Sequence, residues 1–255
     1  MAFLLPMLLL ILCLFSWLPL ASTTATDNYN LLLNRSPSSL RNEYWVLRHG
    51  QSQANVAKLI ASSPEIACQK YGLSDVGKEQ AALAGDEAVE AFHERNTREP
   101  RLQAVVLLSS DLLRAKETAE IVRDKLILAG IPLLYQNVGE PRIDKGLAME
   151  TRLRERWFGE WDETSDTNYP NVWKDDAEDA DHTIKGVESV NQVVSRSTKC
   201  ICDWDERLER CMVICVAHGD VLQIMQTGFA KMDPTKHRTL EHLETAKLRR
   251  LELKE

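Results

Sequence analysis

Two histidines in this chain stand at the ends of apolar runs, each followed by a glycine. Tyr44-Trp45-Val46-Leu47 stops at Arg48-His49-Gly50, and Met212-Val213-Ile214-Cys215-Val216-Ala217 stops at His218-Gly219. A neutral imidazole attacks phosphorus well, whereas an imidazolium has no lone pair to offer. Guanidinium groups nearby keep a histidine neutral by like-charge repulsion and bind phosphate through paired N–H groups. Arg48 adjoins His49, and Arg114 follows another apolar run in Ser109-Ser110-Asp111-Leu112-Leu113-Arg114. His49 is therefore a candidate phosphoryl acceptor, with Arg48 and Arg114 as candidate phosphate ligands. A strand-end histidine with a purely structural role is the competing reading.

His218 reads either as a satisfied core histidine or, beside His49, as a stabiliser of phosphate charge. Gly219 lets backbone approach a ligand closely, and its N–H stands where a helix can begin, a natural anion position. Glu155, in Leu153-Arg154-Glu155-Arg156-Trp157-Phe158-Gly159, is the candidate proton donor. Its flanking arginines by themselves lower its pKa, while a bound phosphate dianion and a closed lid raise it. A surface ion-pair run is the alternative there. Asn55 offers an amide hydrogen to phosphate, or serves as a turn or cap residue. No CxxC pair and no His/Cys cluster has zinc spacing, so neither a metal nor another cofactor is expected.

These residues need elements to hold them. Short apolar runs predict strands at Tyr44–Leu47, Ala104–Leu108, Pro132–Tyr135, Met212–Ala217 and Leu248–Leu253, covered on both faces. Helical spacing links Ala81, Ala84, Ala88 and Ala91 after a cap at Ser74. Leu112, Ala115, Ala119, Val122 and Leu126 repeat likewise after Ser109-Ser110-Asp111, as do Val190, Val193, Ser197, Ile201, Trp204 and Leu208. The alternation predicts an α/β three-layer sandwich, its central sheet mainly parallel and its helices on both faces. In such sheets reactive groups collect at the carboxyl ends of strands, where His49 and His218 both fall. Asp162 to Asp181 breaks the pattern: acidic, aperiodic, with Trp161 and Trp173, it reads as a solvated loop or a lid anchored by its aromatics.

Residues 1–25 contain an almost wholly apolar run from Phe3 to Leu20 and then Ala21-Ser22-Thr23-Thr24-Ala25. This is the pattern of a signal peptide leading to the secretory pathway, or of an uncleaved anchor, the only route to a membrane. Residues 26–42 read as a polar linker and 43–255 as one catalytic domain. The net charge of −7 excludes a nucleic-acid partner that would need a basic face. Beyond Cys13 of the leader, Cys68, Cys200, Cys202, Cys211 and Cys215 form an odd set rather than a disulfide framework. Cys211 and Cys215 share one side of a buried strand and read as small hydrophobes. Asn34-Arg35-Ser36 is a glycosylation sequon, usable only in a lumenal domain.

Arg48-His49-Gly50-Gln51-Ser52-Gln53-Ala54-Asn55 resembles the signature of the histidine phosphatase superfamily, phosphoglycerate-mutase-like branch. Further blocks are similar in the same order: Leu73-Ser74…Gly77…Gln80-Ala81, Ser109-Ser110-Asp111-Leu112…Arg114-Ala115…Thr118-Ala119, and Leu153-Arg154-Glu155…Phe158-Gly159…Trp161. Gly186-Val187-Glu188-Ser189 and Val216-Ala217-His218-Gly219 complete the set. The resemblance implies a phosphohistidine on His49, with Arg48, Arg114 and His218 holding the transferring oxygens. Glu155 would protonate the leaving group and then assist water, without a metal. The implied activity is hydrolysis of a small phosphomonoester, the molecule's expected partner. Phosphoglycerate-mutase-type transfer is the alternative, and a catalytically silent binding protein of the same fold is the third reading. Cofactor-dependent mutases carry a Gly-Leu-Asn-Lys-like stretch after the acid, where this chain has Asp162-Glu163-Thr164-Ser165-Asp166. The departure removes a lysine that helps hold a phosphorylated three-carbon acid, and so favours hydrolysis.

Overall fold

The computed structural model describes residues 29–135 and 142–255. The apolar leader lies outside the described residues. Along the chain come β1 (Glu43–Arg48), α1 (Gln53–Ala57), α2 (Pro64–Ala67), α3 (Asp75–Arg95), β2 (Ala104–Ser109) and α4 (Leu113–Leu128). They are followed by β3 (Leu147–Met149), α5 (Tyr169–Glu178), α6 (Val190–Arg207), β4 (Cys211–Ala217), α7 (Gly219–Ala230) and β5 (Leu248–Leu251). The sheet order is β3-β2-β4-β1-β5. Four strands are parallel, and β5 closes one edge antiparallel to β1.

Alternation along the strands divides the core in two. Leu47, Val105, Leu107, Met212, Ile214 and Val216 face α3 and α4, packing on Ala84, Ala88, Ala119 and Val122. Val46, Val106, Leu108, Val213, Cys215 and Ala217 face the opposite way, onto Val193, Ile201, Trp204 and Ile224 of α6 and α7. Every residue of β2 and β4 is buried, as expected of strands covered on both faces. This is the expected three-layer α/β sandwich, with a mixed five-stranded sheet. Cys211 and Cys215 lie together in the second core, and all five described cysteines are free thiols.

Four expectations are corrected. The strand expected over Pro132–Tyr135 is a single bridge from Leu133 to Val105. Proline has no N–H for a ladder, so Pro132 contributes only its carbonyl, to the Val105 amide. Its place in the sheet is taken by β3, three residues long. Asp162–Asp181 is no loop: Tyr169–Glu178 forms α5, whose Val172 and Asp176 are buried. The helix goes unannounced because its inward face includes a carboxylate. Ser109-Ser110-Asp111 does not cap α4, whose N-cap is Leu112 with no side-chain bond. Residues 29–42 are no linker. Leu32 is fully buried, Asn30 donates to the Gly228 carbonyl at 3.0 Å, and Asn42 donates to that of Leu208 at 2.9 Å. Asn34 lies exposed on the turn beside Leu32.

The loop after β1 is pressed on the start of α3. Ser74 caps α3 by accepting the Gly77 amide, and its hydroxyl donates to Gln51 Oε1 at 2.7 Å. Gly50 and Gly77 meet backbone to backbone, and a methyl on Gly77 would overlap the Gln51 carbonyl oxygen. Neither partner is a flexible side chain, so the strain has no cheap outlet. Gly77→Ala is expected to lower stability by about 1–3 kcal/mol, read as a shifted urea midpoint.

Candidate active site

The four parallel strands deliver one group each to their common carboxyl edge. His49 follows β1, and its amide donates to the Ala217 carbonyl at 3.0 Å. His218 follows β4 as the N-cap of α7. Arg114 stands on the first turn of α4, beyond β2. Glu155 follows the turn Thr151–Leu153 that leaves β3. The His49 and His218 rings lie 5.1 Å apart between centroids.

The hydrogen bonds of His49 settle which nitrogen can react. Nδ1 is 2.7 Å from the Gly50 carbonyl oxygen, which can only accept, so Nδ1 carries the proton. Nε2 therefore keeps its lone pair, and it accepts from Arg114 Nε at 3.0 Å. Burial pushes the His49 pKa well below its ordinary value, and Arg114 and Arg48 push it further. The imidazole is thus neutral and correctly tautomeric. Burial likewise drives His218 well below its usual pKa, helped by Arg114 and His49. Its Nε2 is 2.8 Å from Ser110 Oγ. When that hydroxyl donates to it, Nδ1 carries the proton.

Three buried nitrogens around His49 lack a protein partner: Arg48 Nε, Arg114 Nη1 and His218 Nδ1. Two other donors of these arginines are committed. Arg114 Nη2 donates to the Ala61 carbonyl at 2.8 Å, and Arg48 Nη1 to the Leu243 carbonyl at 3.2 Å, with His242 Nε2 at 3.0 Å. Buried donors without acceptors are costly, and a group of them around one imidazole is the complement of an oxyanion. Gly219 leaves room for this arrangement, since a methyl there would stand 3.3 Å from Arg48 Cζ.

Glu155 is buried, and its Oε1 accepts from the amides of Arg156 (3.0 Å) and Val221 (3.2 Å). A proton on this carboxyl therefore belongs on Oε2. Burial raises its pKa, with a further push from Asp220, against the pull of Arg114. Its flanking arginines do not lower it as expected, because both are engaged elsewhere. Arg154 grips Asp111 at 2.7 and 2.6 Å. Arg156, fully buried, pairs with both oxygens of Asp176 at 2.7 Å and with Asp220 at 3.3 Å. Asn55 holds the Ser52 amide and hydroxyl through Oδ1 at 3.0 Å in a capping box, and its residue still lines the cavity. The cap and phosphate-side readings of Asn55 are thus compatible.

A cavity of about 230 Å³ opens over these groups. Arg48, Asn55, Glu155 and Gly219 line its inner part. Leu59, Asp166, Tyr169, Trp173, Asp220, Arg238 and His242 form the rest, and none of these was singled out as a ligand beforehand. Trp173 donates to Asp220 Oδ1 at 3.0 Å, stacks on Tyr169, and is covered by the Arg238 guanidinium at 3.7 Å. The acidic stretch with its tryptophan was the only sequence signal for this wall. Trp157 is half exposed away from it, Phe158 is buried, and Trp161 carries Lys185 over its ring. Among the described residues, Asp176, Asp220 and His237 alone have ligand-like spacing for a metal. Arg156 already neutralises both carboxylates, so the trio does not fit a cation.

A model of the histidine phosphatase superfamily (branch 1) matches residues 44–133 and 139–255, and the chain belongs to that family. No curated protein matches it by sequence. Its fold is similar to that of a mycobacterial glucosyl-3-phosphoglycerate phosphatase, at 22% identity and a TM-score of 0.58, over 82% of this chain and 88% of that one. It is similar to Bacillus stearothermophilus YhfR at 20% identity and 0.59, covering 81% and 89%. A phosphoserine phosphatase of Entamoeba histolytica follows at 18% and 0.57, covering 81% and 88%. At these identities the likeness shows the fold alone.

The Asp220 carboxylate raises the Glu155 pKa. Asp220→Asn removes that charge while keeping an acceptor for Trp173. If Glu155 acts as the general acid, the basic limb of the kcat/KM profile for phosphomonoester hydrolysis should move to lower pH.

Proposed function

We propose that this chain is a metal-independent phosphomonoesterase that carries the phosphoryl group on His49. The observation that supports this most is the His49 hydrogen-bond pattern, a neutral imidazole whose Nε2 lone pair sits among donors with no other acceptor. Nε2 attacks phosphorus as the ester P–O bond breaks, and Glu155 Oε2 gives its proton to the departing alkoxide. Arg114 Nε moves from Nε2 to a phosphoryl oxygen as the N–P bond forms. The Gly50 carbonyl steadies the charge that appears on the ring through Nδ1–H. Water then attacks the phosphohistidine, Glu155 takes its proton, and the N–P bond breaks to release phosphate. Arg48, His218, Asn55 and the Gly219 amide supply the remaining contacts to phosphoryl oxygens.

Hydrolysis is favoured over mutase transfer by Asp166. A carboxylate lines the cavity in the stretch where the mutases place a lysine. It repels the second acidic group that a phosphoglycerate or a bisphosphate primer must bring. Several solved structures of this fold are phosphatases of small metabolites, which fits a small phosphomonoester here. The apolar leader supports a lumenal or extracellular site of action, and the exposed Asn34 sequon is compatible with it.

The full chain should hydrolyse p-nitrophenyl phosphate in EDTA, and His49→Ala should abolish turnover. Unchanged activity in that variant would sink the mechanism, and primer-dependent phosphoglycerate interconversion would establish the mutase instead. Glu155→Gln should cost roughly 10²–10⁴-fold on alkyl esters. Its effect on the phosphorylation burst with p-nitrophenyl phosphate should be far smaller, because nitrophenolate leaves without a proton.

A further inference from the structure

Asp166 differs from the other carboxylates of the cavity. Glu155 is held by two amides, and Asp220 by Arg156, Trp173 and Arg238. The Asp166 carboxylate has no ion pair and no hydrogen bond among the described residues. It is not a loose surface side chain. Its own amide donates to the Lys58 carbonyl at 2.9 Å, and the neighbouring Ser165 bridges to Leu59. Both attachments tie the turn to the segment that carries Asn55, so the backbone that bears the carboxylate is fixed beside the cavity.

Among the described residues, no cation pairs with it. Arg48 is turned toward Leu243 and His242, and Arg238 toward Asp220 and the Trp173 ring. The stacking capacity of Trp173 and Tyr169 is used within the protein, so the leaving group meets charge and hydrogen-bonding groups rather than a ring platform. With phosphate seated at the Arg48 end, the alcohol portion of the ester lies in the remainder of the same cavity, which Asp166 lines. A half-buried, unpaired carboxylate in the same cavity favours a cation and disfavours an anion.

We propose that Asp166 selects the alcohol portion of the substrate, so that the preferred class is the phosphate ester of a small amino alcohol bearing an ammonium group. This rests on the phosphomonoesterase reading above. Catalysis needs nothing more from Asp166 than charge complementarity to the leaving group.

The test compares phosphoethanolamine with phosphoglycolate, two-carbon esters that differ in an ammonium or a carboxylate. Their kcat/KM ratio is measured in the full chain and in Asp166→Asn and Asp166→Lys. The same ratio is read as dissociation constants by calorimetry in a His49→Ala background, where no turnover is needed. Wild type should favour the ammonium ester. The ratio should fall about tenfold in Asp166→Asn, the size of one partly solvated charge contact, and further in Asp166→Lys. A ratio within twofold of wild type in both variants, or a wild-type preference for phosphoglycolate, overturns the proposal. If binding shows the selectivity while neither these esters nor p-nitrophenyl phosphate is hydrolysed, the phosphomonoesterase reading fails and the role of Asp166 stands.

Discussion

Parallel pairing of β1 with β4 is the constraint on which the rest depends. Its register places Arg48 opposite Ala217, so the chain leaves both strands at one level, with His49 and His218 side by side. An antiparallel pair would send those ends to opposite edges of the sheet. Parallel neighbours require helical crossovers, and these cover both faces and bury the strands. β2 on the far side of β4 then brings Arg114, and β3 beyond it brings Glu155. His49, His218, Arg114 and Glu155 come from separate stretches of chain, yet strand order alone fixes their sequence along the edge.

A buried ionic cluster holds the outer wall to this edge. Arg156 joins Asp176 of α5 to Asp220 of α7, and His182 completes it at 2.6 Å from Asp176. Desolvating such charges cancels much of their attraction, so the cluster is weak as a source of net stability. Its directional bonds accomplish something an apolar patch would not. They fix the rotation of α5, and with it the side of the helix that turns Tyr169 and Trp173 to the cavity. The same guanidinium keeps its own charge occupied one residue from Glu155, which leaves burial free to dominate the acid.

Much of this was legible in the residues themselves. Apolar runs ending in His49 and His218 marked the central strands because fully buried parallel strands need unbroken hydrophobic stretches. The helical periods of α3, α4 and α6 were equally plain. Arg48, Arg114, Glu155, His218, Asn55 and Gly219 could be named because each lies beside a strand end or within a recognisable block. β3 was not legible, since three residues carry no period. Nor was α5, whose buried Asp176 replaces an apolar signal with a polar one that makes sense only beside Arg156. Asp220 directly follows Gly219 but carries no mark of the wall it joins, and Arg238 and His242 reach the cavity from a segment with no pattern tying it to the rest of the site.

The unpartnered donors at Arg48, Arg114 and His218 have a thermodynamic consequence. Any oxyanion that satisfies them binds the folded chain and not the unfolded one, so folding and ligation are linked. A hundredfold excess of free phosphate over its dissociation constant would add about 2.7 kcal/mol to the folded state. Under the proposed hydrolysis the reaction product is such an anion. Each turnover leaves behind a molecule that shields the pocket from the cost of its own exposed polarity, and release of phosphate must work against that gain. A fold primed for oxyanions is at its least stable when empty, and its resistance to unfolding rises and falls with the phosphate around it.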